Sequence, residues 1–440
     1  MDVEGSVGYE GITKIGDVLS GGMDGKKVRV RGWAYRARSS NNLAFIVIRD
    51  SSGTIQCAFK KESIPAGIFD KAKGVYVESS LWAEGTVRAD SRAPGGFELS
   101  CDNIGIIWQG EAFPIAKDQS TEFLLDTRHL WLRSQKLTNV MKARYRMVNL
   151  LRGFFDKDGF YEVAPPIITK AGCEGGSTLF EIDYFGDKAY LTQSSQLYAE
   201  IYITSLEKVY VLAPSFRAEP SRTVRHLAEY WHLEPEMAFY DNRMNMDLQE
   251  KMIEFVANGL ASRYPDIVRA CGQDPAYLAS IKAPFERIPY DNAIDIVNQN
   301  GGKMEWGEDF GADEEALLTK GKQMPVFVHN FPKKIKSFYM RPDPAKPDTV
   351  LNADMIAPFG HGEIIGGSER IWEYDYLLQR IKEENLDVKN YEWYLDLRKY
   401  GSVPHSGFGL GIERLVKWML NLDHIRDAIP FPRTINRVYP

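Results

Sequence analysis

A chain of 440 residues with 44% hydrophobic and 26% charged side chains has the make-up of a globular protein and is too long for one ordinary core, so two or three domains are expected. Its 54 Lys and Arg against 60 Asp and Glu leave a net charge of −6, which argues against a nonspecific nucleic-acid binder and leaves room for a local basic patch. Cys57, Cys101, Cys173 and Cys271 lie far apart with no CxxC spacing, so a reducing compartment and no structural zinc are expected. The start, MDVEGSVGYEGITK, has no basic stretch followed by an apolar run, and no later segment approaches the roughly 18 apolar residues of a membrane span. The cytoplasm is the expected location, with no membrane partner.

Residues 26–108 break into five short alternating segments, KVRVRGWAYRAR, LAFIVIRD, TIQCAFK, VYVESSLWAEGTVRA and FELSCDNIGII, separated by turn sequences such as Asp50-Ser51-Ser52-Gly53 and Ala93-Pro94-Gly95-Gly96. Five strands in about 80 residues predict a small barrel of the oligonucleotide-binding type. Arg29, Arg31, Arg36 and Arg38 precede Phe45, and Gln56 follows it, so a cation, a ring and an amide can converge on an unpaired base. Phe45 as a core ring with Gln56 on the surface is the competing reading. Residues 109–134 are irregular and read as a linker with some structure of its own.

From Leu137 the period changes. Leu137, Val140, Met141, Met147, Val148, Leu151, Phe154 and Phe155 form one apolar stripe at helical spacing. FYEVAPPII then leaves as a strand whose two prolines suit an edge or a subunit interface. Glu174, ahead of two glycines, sits either against a ligand or in an ordinary turn. Gln196 and Glu200 fall one helical turn apart on one face. Residues 209–239 read as two strands joined by a charged loop, with Arg217 and Glu219 sharing a face and Tyr230, His232, Glu234 and Glu236 sharing another. Pro235 tells against a regular central strand there and points to a bulge or edge. Residues 245–264 look helical, and 265–345 read as a mixed insertion whose acidic run is a solvated face.

Two signals close the chain. HGEIIGGSER sets Glu363 and Arg370 around a glycine pair, with Asp354 shortly before. Gly407, Gly409 and Gly411 recur at every second residue, which strips one strand face of side chains, either for a flat ligand or for close packing. Ile412, Leu415, Val416 and Met419 follow as a helical stripe, so Arg414 stands near a helix start at the mouth of the same surface. Arginine matches phosphate bidentately and carboxylates hold Mg²⁺. With no GxxxxGK[ST] in the chain, these residues predict an ATP site on an antiparallel sheet, joined to a module for single-stranded nucleic acid.

On these motifs the chain resembles class II aminoacyl-tRNA synthetases of the aspartate/asparagine/lysine subgroup along almost its whole length. GFYEVAPPII looks like their first motif, with Pro166 at its proline, FRAEPSRTVRHLAEYWHLEPEMAF like the second, and GFGLGIERL like the third. The resemblance implies an α+β protein: an OB-fold anticodon-binding barrel over residues 1–108, a hinge over 109–134, and a catalytic domain over 135–440 built on an antiparallel six-stranded sheet flanked by helices. It also implies a homodimer through the first motif around Pro166. Arg217 is implied to contact the α-phosphate and the substrate carboxylate, Glu219 the adenine, Tyr230 to stack on it, and Arg225 and His226, followed by Leu227, to reach the outer phosphates. Arg414 is implied at the γ-phosphate, with Gly411, Ile412 and Glu413 beside it in the ATP site. Glu363 is implied as principal Mg²⁺ ligand and Asp354 as a second. The reaction so implied joins an amino acid to the 3′ end of a tRNA through an adenylate, by positioning and charge neutralisation.

Aspartyl enzymes of the subgroup carry a lysine within QLYK, where this chain has Gln196-Leu197-Tyr198-Ala199-Glu200. Without that cation a buried substrate carboxylate lacks its partner. Glu200 accepting from an amide NH₂ and Arg370 donating to the amide oxygen is a combination that resembles asparaginyl enzymes, as does Gly366-Gly367-Ser368, and Glu174 is implied at the α-amino group. L-asparagine is therefore the expected substrate. Relatives carry a metal-contacting serine at the position of Gly366, so a second Mg²⁺ site is in question. Arg38, Phe45 and Gln56 match the spacing with which these relatives hold the middle anticodon base of the tRNA. Aspartate–tRNA ligation and AMP-forming asparagine synthesis are the rival activities, and the barrel speaks against the second.

Overall fold

A computed structural model describes residues 11–173, 178–220 and 223–440, so Glu174 lies outside the described residues. The chain divides into two compact units, Met1–Thr121 and Glu122–Pro440.

In the first unit β1 (Lys27–Ser39), β2 (Leu43–Arg49), β3 (Thr54–Lys60), β4 (Ser80–Ala89) and β5 (Phe97–Trp108) close into a barrel in the order β1-β2-β3-β5-β4. The period-two alternation turns Val30, Ile46, Ile48, Ile55, Leu81 and Leu99 inward, and the helix Ala66–Lys73 adds Phe69 to that core. Phe45 falls on the opposite parity from Ile46 and stands half-buried on the outer wall, so it is not a core ring.

In the second unit Ser134 caps the helix Gln135–Lys157 by accepting from Leu137 N, and the predicted stripe is buried along Leu137, Val140, Met147, Leu151 and Phe155. The proline-containing strand is shorter than expected. Tyr161–Glu162 pairs as β6 and the ladder stops after the bond from Val163 N to Tyr210 O, because Pro165 and Pro166 have no N–H to continue it. A small three-stranded sheet follows, built from β7 (Ile168–Thr169), β8 (Phe180–Tyr184) and β9 (Asp187–Leu191). The helix Gln196–Leu206 packs against the hairpin formed by β10 (Lys208–Phe216) and β11 (Glu229–Ala238), and the helix Asn242–Arg263 follows.

The remaining strands are β12 (Glu286–Pro289), β13 (Val326–His329), the β14 (Pro342–Asp343) and β15 (Lys346–Val350) pair, β16 (Asn352–Ala357), β17 (Gly362–Glu369) and β18 (His405–Gly411). The main sheet runs β12-β13-β16-β17-β18-β11-β10-β6. Its six central strands pair antiparallel as expected, and β12 and β6 add one parallel strand at each edge. Residues 265–345, read from sequence as an insertion, therefore supply two strands of this sheet. β11 is central, against the expectation from Pro235. The ladder with β10 accommodates the proline opposite Tyr210, whereas pairing with β18 lapses between Leu233↔Leu410 and Glu236↔Gly407, where the missing donor would have been needed.

The main core lies between this sheet and the helices Gln135–Lys157, Asn242–Arg263 and Ile412–Met419. Phe155 is fully buried at its edge, with ring centroids 4.9 Å from both Phe160 and Tyr210. Phe155→Ala is expected to lower stability by about 3–5 kcal/mol, read as a fall in urea midpoint at unchanged slope. A cost below about 1 kcal/mol would show that the neighbouring rings collapse into the gap.

Candidate active site

The opposite face of the sheet floors a cavity of about 330 Å³. Strand parity puts His232, Glu234 and Glu236 of β11 on this face, as read from the sequence, and Asp354, Glu363 and Gly409 join them from β16, β17 and β18. Arg217 and Glu219 also line it, but not from a strand: β10 ends at Phe216, and Arg217 N makes one last bond to Ala228 O at 2.9 Å before the chain leaves. The Arg217 guanidinium carbon sits 5.7 Å from the Tyr230 ring centre.

The alternating glycines answer to two needs. A Cβ on Gly407 would strike the Glu236 carboxylate, and one on Gly409 would strike the His232 imidazole, so these two make room for side chains of the neighbouring strand. Gly411 faces the stem of Arg414, with nothing nearer than 3.5 Å, and lines the cavity. Ile412, expected beside the nucleotide, is instead fully buried in the core. Glu413 lines the cavity, with its carboxylate committed to bonds within the protein. Its carboxylate accepts from Arg144 Nη2 at 2.7 Å and from Trp231 N at 2.9 Å, which pins the helix start to β11.

At one end of the cavity Arg414 Nη1 donates to Glu363 Oε2 at 3.0 Å, and Arg225 pairs with Glu315. Glu315 comes from the acidic run expected to be solvated, yet it is only 6% exposed and also accepts from Glu363 N at 3.1 Å. His226 lies alongside, its Nε2 3.6 Å from Glu219 Oε2, and burial followed by the nearby Arg414 lowers its pKa. Leu227 and Tyr230 close this end with Ile425 and Ile429 in a small apolar cluster.

Asp354 and Glu363 approach each other over Gly366. A Cβ built there would lie 3.2 Å from Glu363 Oε1 and 3.5 Å from Asp354 Oδ1, so the glycine leaves a gap flanked by two carboxylate oxygens. Burial pushes Asp354 up to about 7 although Lys336 Nζ is 2.7 Å away, whereas Arg414, Lys336 and Arg217 hold Glu363 at about 2 against the cost of burial. Oxygen ligands around a side-chain-free gap suit a hard divalent cation such as Mg²⁺. Nothing in the sequence had marked Lys336, which stands on this side of the cavity.

At the other end Arg370 makes a two-pronged pair with Glu236, Nε to Oε1 at 2.9 Å and Nη2 to Oε2 at 3.0 Å, and a third bond from Nη1 to Ser368 Oγ at 2.7 Å. Both residues line the cavity and are nearly fully buried, at 3% and 1% exposure. Gln196 also reaches the cavity. Glu200 does not, contrary to expectation. Its carboxylate is turned behind the wall, where it accepts from Gln196 Nε2 at 3.1 Å, Tyr394 OH at 2.8 Å and Arg398 Nη2 at 2.7 Å, with His405 Nε2 at 2.9 Å. Despite burial, Arg398 and His405 keep its pKa well below the usual carboxylate range. The carboxylate that faces the cavity beside Arg370 is Glu236, which the strand alternation had placed on the right face without assigning it a partner.

On the barrel's outer wall the expected trio comes together. Arg38 stands opposite Phe45 in the β1–β2 register, its guanidinium carbon 4.7 Å from the ring centre and its Nη2 3.5 Å from Gln56 Oε1. Gln56 Nε2 is held by Glu98 Oε2 at 2.6 Å, a contact with no signal in the sequence.

With this geometry in view, a family model described as class II tRNA synthetases (D, K and N) matches residues 120–435, and one for the OB-fold nucleic acid binding domain matches residues 28–107. The chain belongs to the class II tRNA synthetases of the D, K and N group. It is thus an aminoacyl-tRNA synthetase. It is 50% identical over 426 residues to the asparagine–tRNA ligase of Thermoplasma acidophilum, covering 97% of this chain and 99% of that protein. It is 52% identical over 418 residues to the corresponding ligase of Thermococcus gammatolerans, covering 95% and 97%. Among solved structures it resembles the asparaginyl-tRNA synthetase of Pyrococcus horikoshii complexed with asparaginyl-adenylate, with TM-score 0.91 and 49% identity over 95% of this chain and 97% of that one. No helix among the described residues of this synthetase is long and apolar enough to cross a membrane.

Beyond Arg225 and Arg414 in the synthetase, His361 accepts at Nδ1 from Lys417 Nζ at 3.1 Å, and its Nε2 faces Asn421 Oδ1 at 3.3 Å, an arrangement that suits the neutral ring. Burial, then the Lys417 charge, pushes its pKa from 6.5 down to about 4. The unfolded chain therefore takes up this proton first on acidification, and the stability gained from a neutral His361 is complete above pH 6.5 and lost as pH falls toward 4. His361→Gln, which titrates nowhere in this range, is expected to flatten that part of the stability–pH curve in urea denaturation. An unchanged slope would remove His361 from the account.

Proposed function

We propose that this synthetase is an asparagine–tRNA ligase, which activates L-asparagine with ATP to asparaginyl-adenylate and transfers the asparaginyl group to the 3′ end of its tRNA. The observation that carries the choice of amino acid is the Glu236–Arg370 pair on the cavity wall, at 2.9 and 3.0 Å. A carboxamide offers what this pair can use: its NH₂ donates to Glu236, and its oxygen accepts from Arg370, whose described bonds occupy three of its five N–H donors. A substrate carboxylate would instead face the Glu236 carboxylate without a cation of its own, since position 199, where a lysine would stand in an aspartate enzyme, is alanine. Aspartate–tRNA ligation is the weaker reading for that reason.

In this reading Arg217 neutralises the α-phosphate and orients the substrate carboxylate, whose oxygen attacks the α-phosphorus as pyrophosphate leaves. The tRNA 3′ hydroxyl then attacks the acyl carbon and AMP departs. Tyr230 and Leu227 carry the adenine with Glu219 at its edge, Arg225 and His226 meet the outer phosphates, and Arg414 the terminal one. Glu363 and Asp354 would hold Mg²⁺, which supplies charge neutralisation to the phosphates when bound. No side-chain nucleophile is required. Arg38, Phe45 and Gln56 hold an anticodon base, Phe45 by stacking and the polar pair by hydrogen bonds. The protein works in the cytoplasm as a homodimer through the segment around Pro166, where Tyr161, Ile167 and Ile168 are exposed.

Amino-acid-dependent ATP–pyrophosphate exchange tests the assignment. Exchange with asparagine at least a hundredfold above that with aspartate, on the order of 3 kcal/mol, is expected, and activation of aspartate alone would overturn it. Phe45→Ala is expected to weaken tRNA charging by about tenfold or more, from about 1–3 kcal/mol of lost stacking, with exchange nearly intact. Equal loss in both assays would remove the barrel wall from anticodon binding.

A further inference from the structure

Arg128 plays no part in the chemistry just described, yet among the described residues it is the most fully buried arginine of the second unit, at 1% exposure. It belongs to the short helix Arg128–Trp131, in the stretch the sequence marked only as a linker, and its guanidinium carbon lies 4.8 Å from the Trp131 ring centre. Almost everything it touches is backbone. Nε donates to Pro430 O at 2.8 Å, and Nη2 donates to Ile429 O at 2.9 Å and Arg426 O at 3.0 Å, while Nη1 stands 3.6 Å from Asp427 Oδ1. The carbonyls it gathers close the turn Ile425–Asp427 and the residues after it, 298 to 302 positions away in sequence.

That turn borders the nucleotide end of the cavity. Ile425 lines the wall and packs with Leu227 and Tyr230. Its backbone N donates to Val224 O at 3.0 Å, immediately before Arg225 and His226. A second tie follows a few residues on, where Ala228 N donates to Arg433 O at 2.8 Å and Glu229 bridges to Arg433. The strap 424–433 is thus bonded on one side to Arg128 and on the other, at two points, to the loop that carries Arg225 and His226. Within the loop itself Thr223 Oγ1 accepts from Arg225 N at 3.3 Å, a local bond that shapes the turn but does not fix it to the sheet.

We infer that Arg128 is a positioning residue for ATP, acting through the strap to hold the phosphate-binding loop and the Ile425 wall in register. This rests on the proposed reading of the cavity as an ATP site. A guanidinium is suited to the task because it presents several donors in one rigid plane, so it can collect three carbonyls of a tight turn at once; an ammonium on a flexible stem cannot meet all three.

The test is steady-state pyrophosphate exchange on the full chain for wild type, Arg128→Lys and Arg128→Met. The KM for ATP is expected to rise at least tenfold in Arg128→Met and by a smaller factor in Arg128→Lys, while the KM for asparagine stays within about twofold, since the bonds of Glu236 and Arg370 run to each other and to Ser368 rather than to the strap. A purely structural role would lower active protein or move both KM values together, and either result, or an unmoved ATP KM, overturns the inference. Should Arg128→Met fail to fold, Arg128→Lys is judged by the same split. Wild-type protein that exchanges with no amino acid would instead overturn the ATP reading itself, whatever the two variants do.

Discussion

Charge burial is the constraint on which the rest of this molecule turns. Beneath and around one cavity the sheet carries Glu234, Glu236, Asp354 and Glu363, and the helices against it carry Glu200 and Glu413, all at least half enclosed by protein. An unpaired buried carboxylate is costly enough that it would be protonated or excluded, and breaking one such pair costs about 3–5 kcal/mol. Each is therefore met by a cation or by donors from a distant part of the chain: Glu236 by Arg370, Glu200 by Arg398, Glu363 by Arg414, Asp354 by Lys336, Glu413 by Arg144, Glu234 by Ser194 and Ser195 N. These bonds tie β11 to the end of β17, β16 to the segment before it and β17 to the helix Ile412–Met419, so the architecture and the electrostatics of the site are one arrangement.

The arrangement also sorts the carboxylates. Glu200 and Glu236 are close neighbours, near enough that with His405 their ligand atoms lie within 4.8 Å of one another. Two buried negative charges at that distance are tolerable only because Arg398 serves one and Arg370 the other. Arg398, Tyr394 and His405 satisfy Glu200 behind the wall and so leave Arg370 to Glu236 at the cavity surface. Were Arg398 not there, Arg370 would be shared between both. The inner layer fixes the pairing of the outer one, and the outer one faces the cavity.

Much of this was legible in the sequence where the signal is periodic. The barrel's alternation, the stripe from Leu137 to Phe155, the hairpin around 209–239 and the glycine series all follow from backbone geometry, and they locate the sheet face that carries the site. The errors come where tertiary partners decide. Parity alone could not tell that Glu200 turns behind the wall, since that depends on Arg398 and Tyr394 arriving from almost two hundred residues further on. Glu315 sits in an acidic run that looks solvated, and Arg225 with the backbone N–H of Glu363 draws it in. Pro235 argued against a central strand because a missing donor is normally disqualifying; here the cost is localised to two skipped pairs next to Gly407. Arg217 and Glu219 were assigned to the right cavity for the wrong reason, as the loop after β10 rather than the strand delivers them.

In their charge pairing the two ends of the cavity differ in kind. At the Arg370 end the pair is bidentate, enclosed and backed by a second layer, so a ligand must fit the pair as it stands. At the Arg414 end the pairing is looser: Arg414 keeps one side-chain bond to Glu363 at 3.0 Å and is about a quarter exposed, and Asp354, with a pKa near 7, is already close to giving up its charge. An anion arriving here competes for Arg225 and Arg414 with the carboxylates that hold them, and every carboxylate it displaces needs a new partner. Glu315 would keep only the bond it already accepts from the backbone N–H of Glu363. Glu363 and Asp354 share the attraction of Lys336, so a polyanion displacing Arg414 leaves two carboxylates dividing that ammonium, with Arg217 as the other cation acting on Glu363. The residues therefore favour a polyanion that brings positive charge with it over one that comes alone, so one end of the cavity is fixed in its pairing and the other is exchangeable.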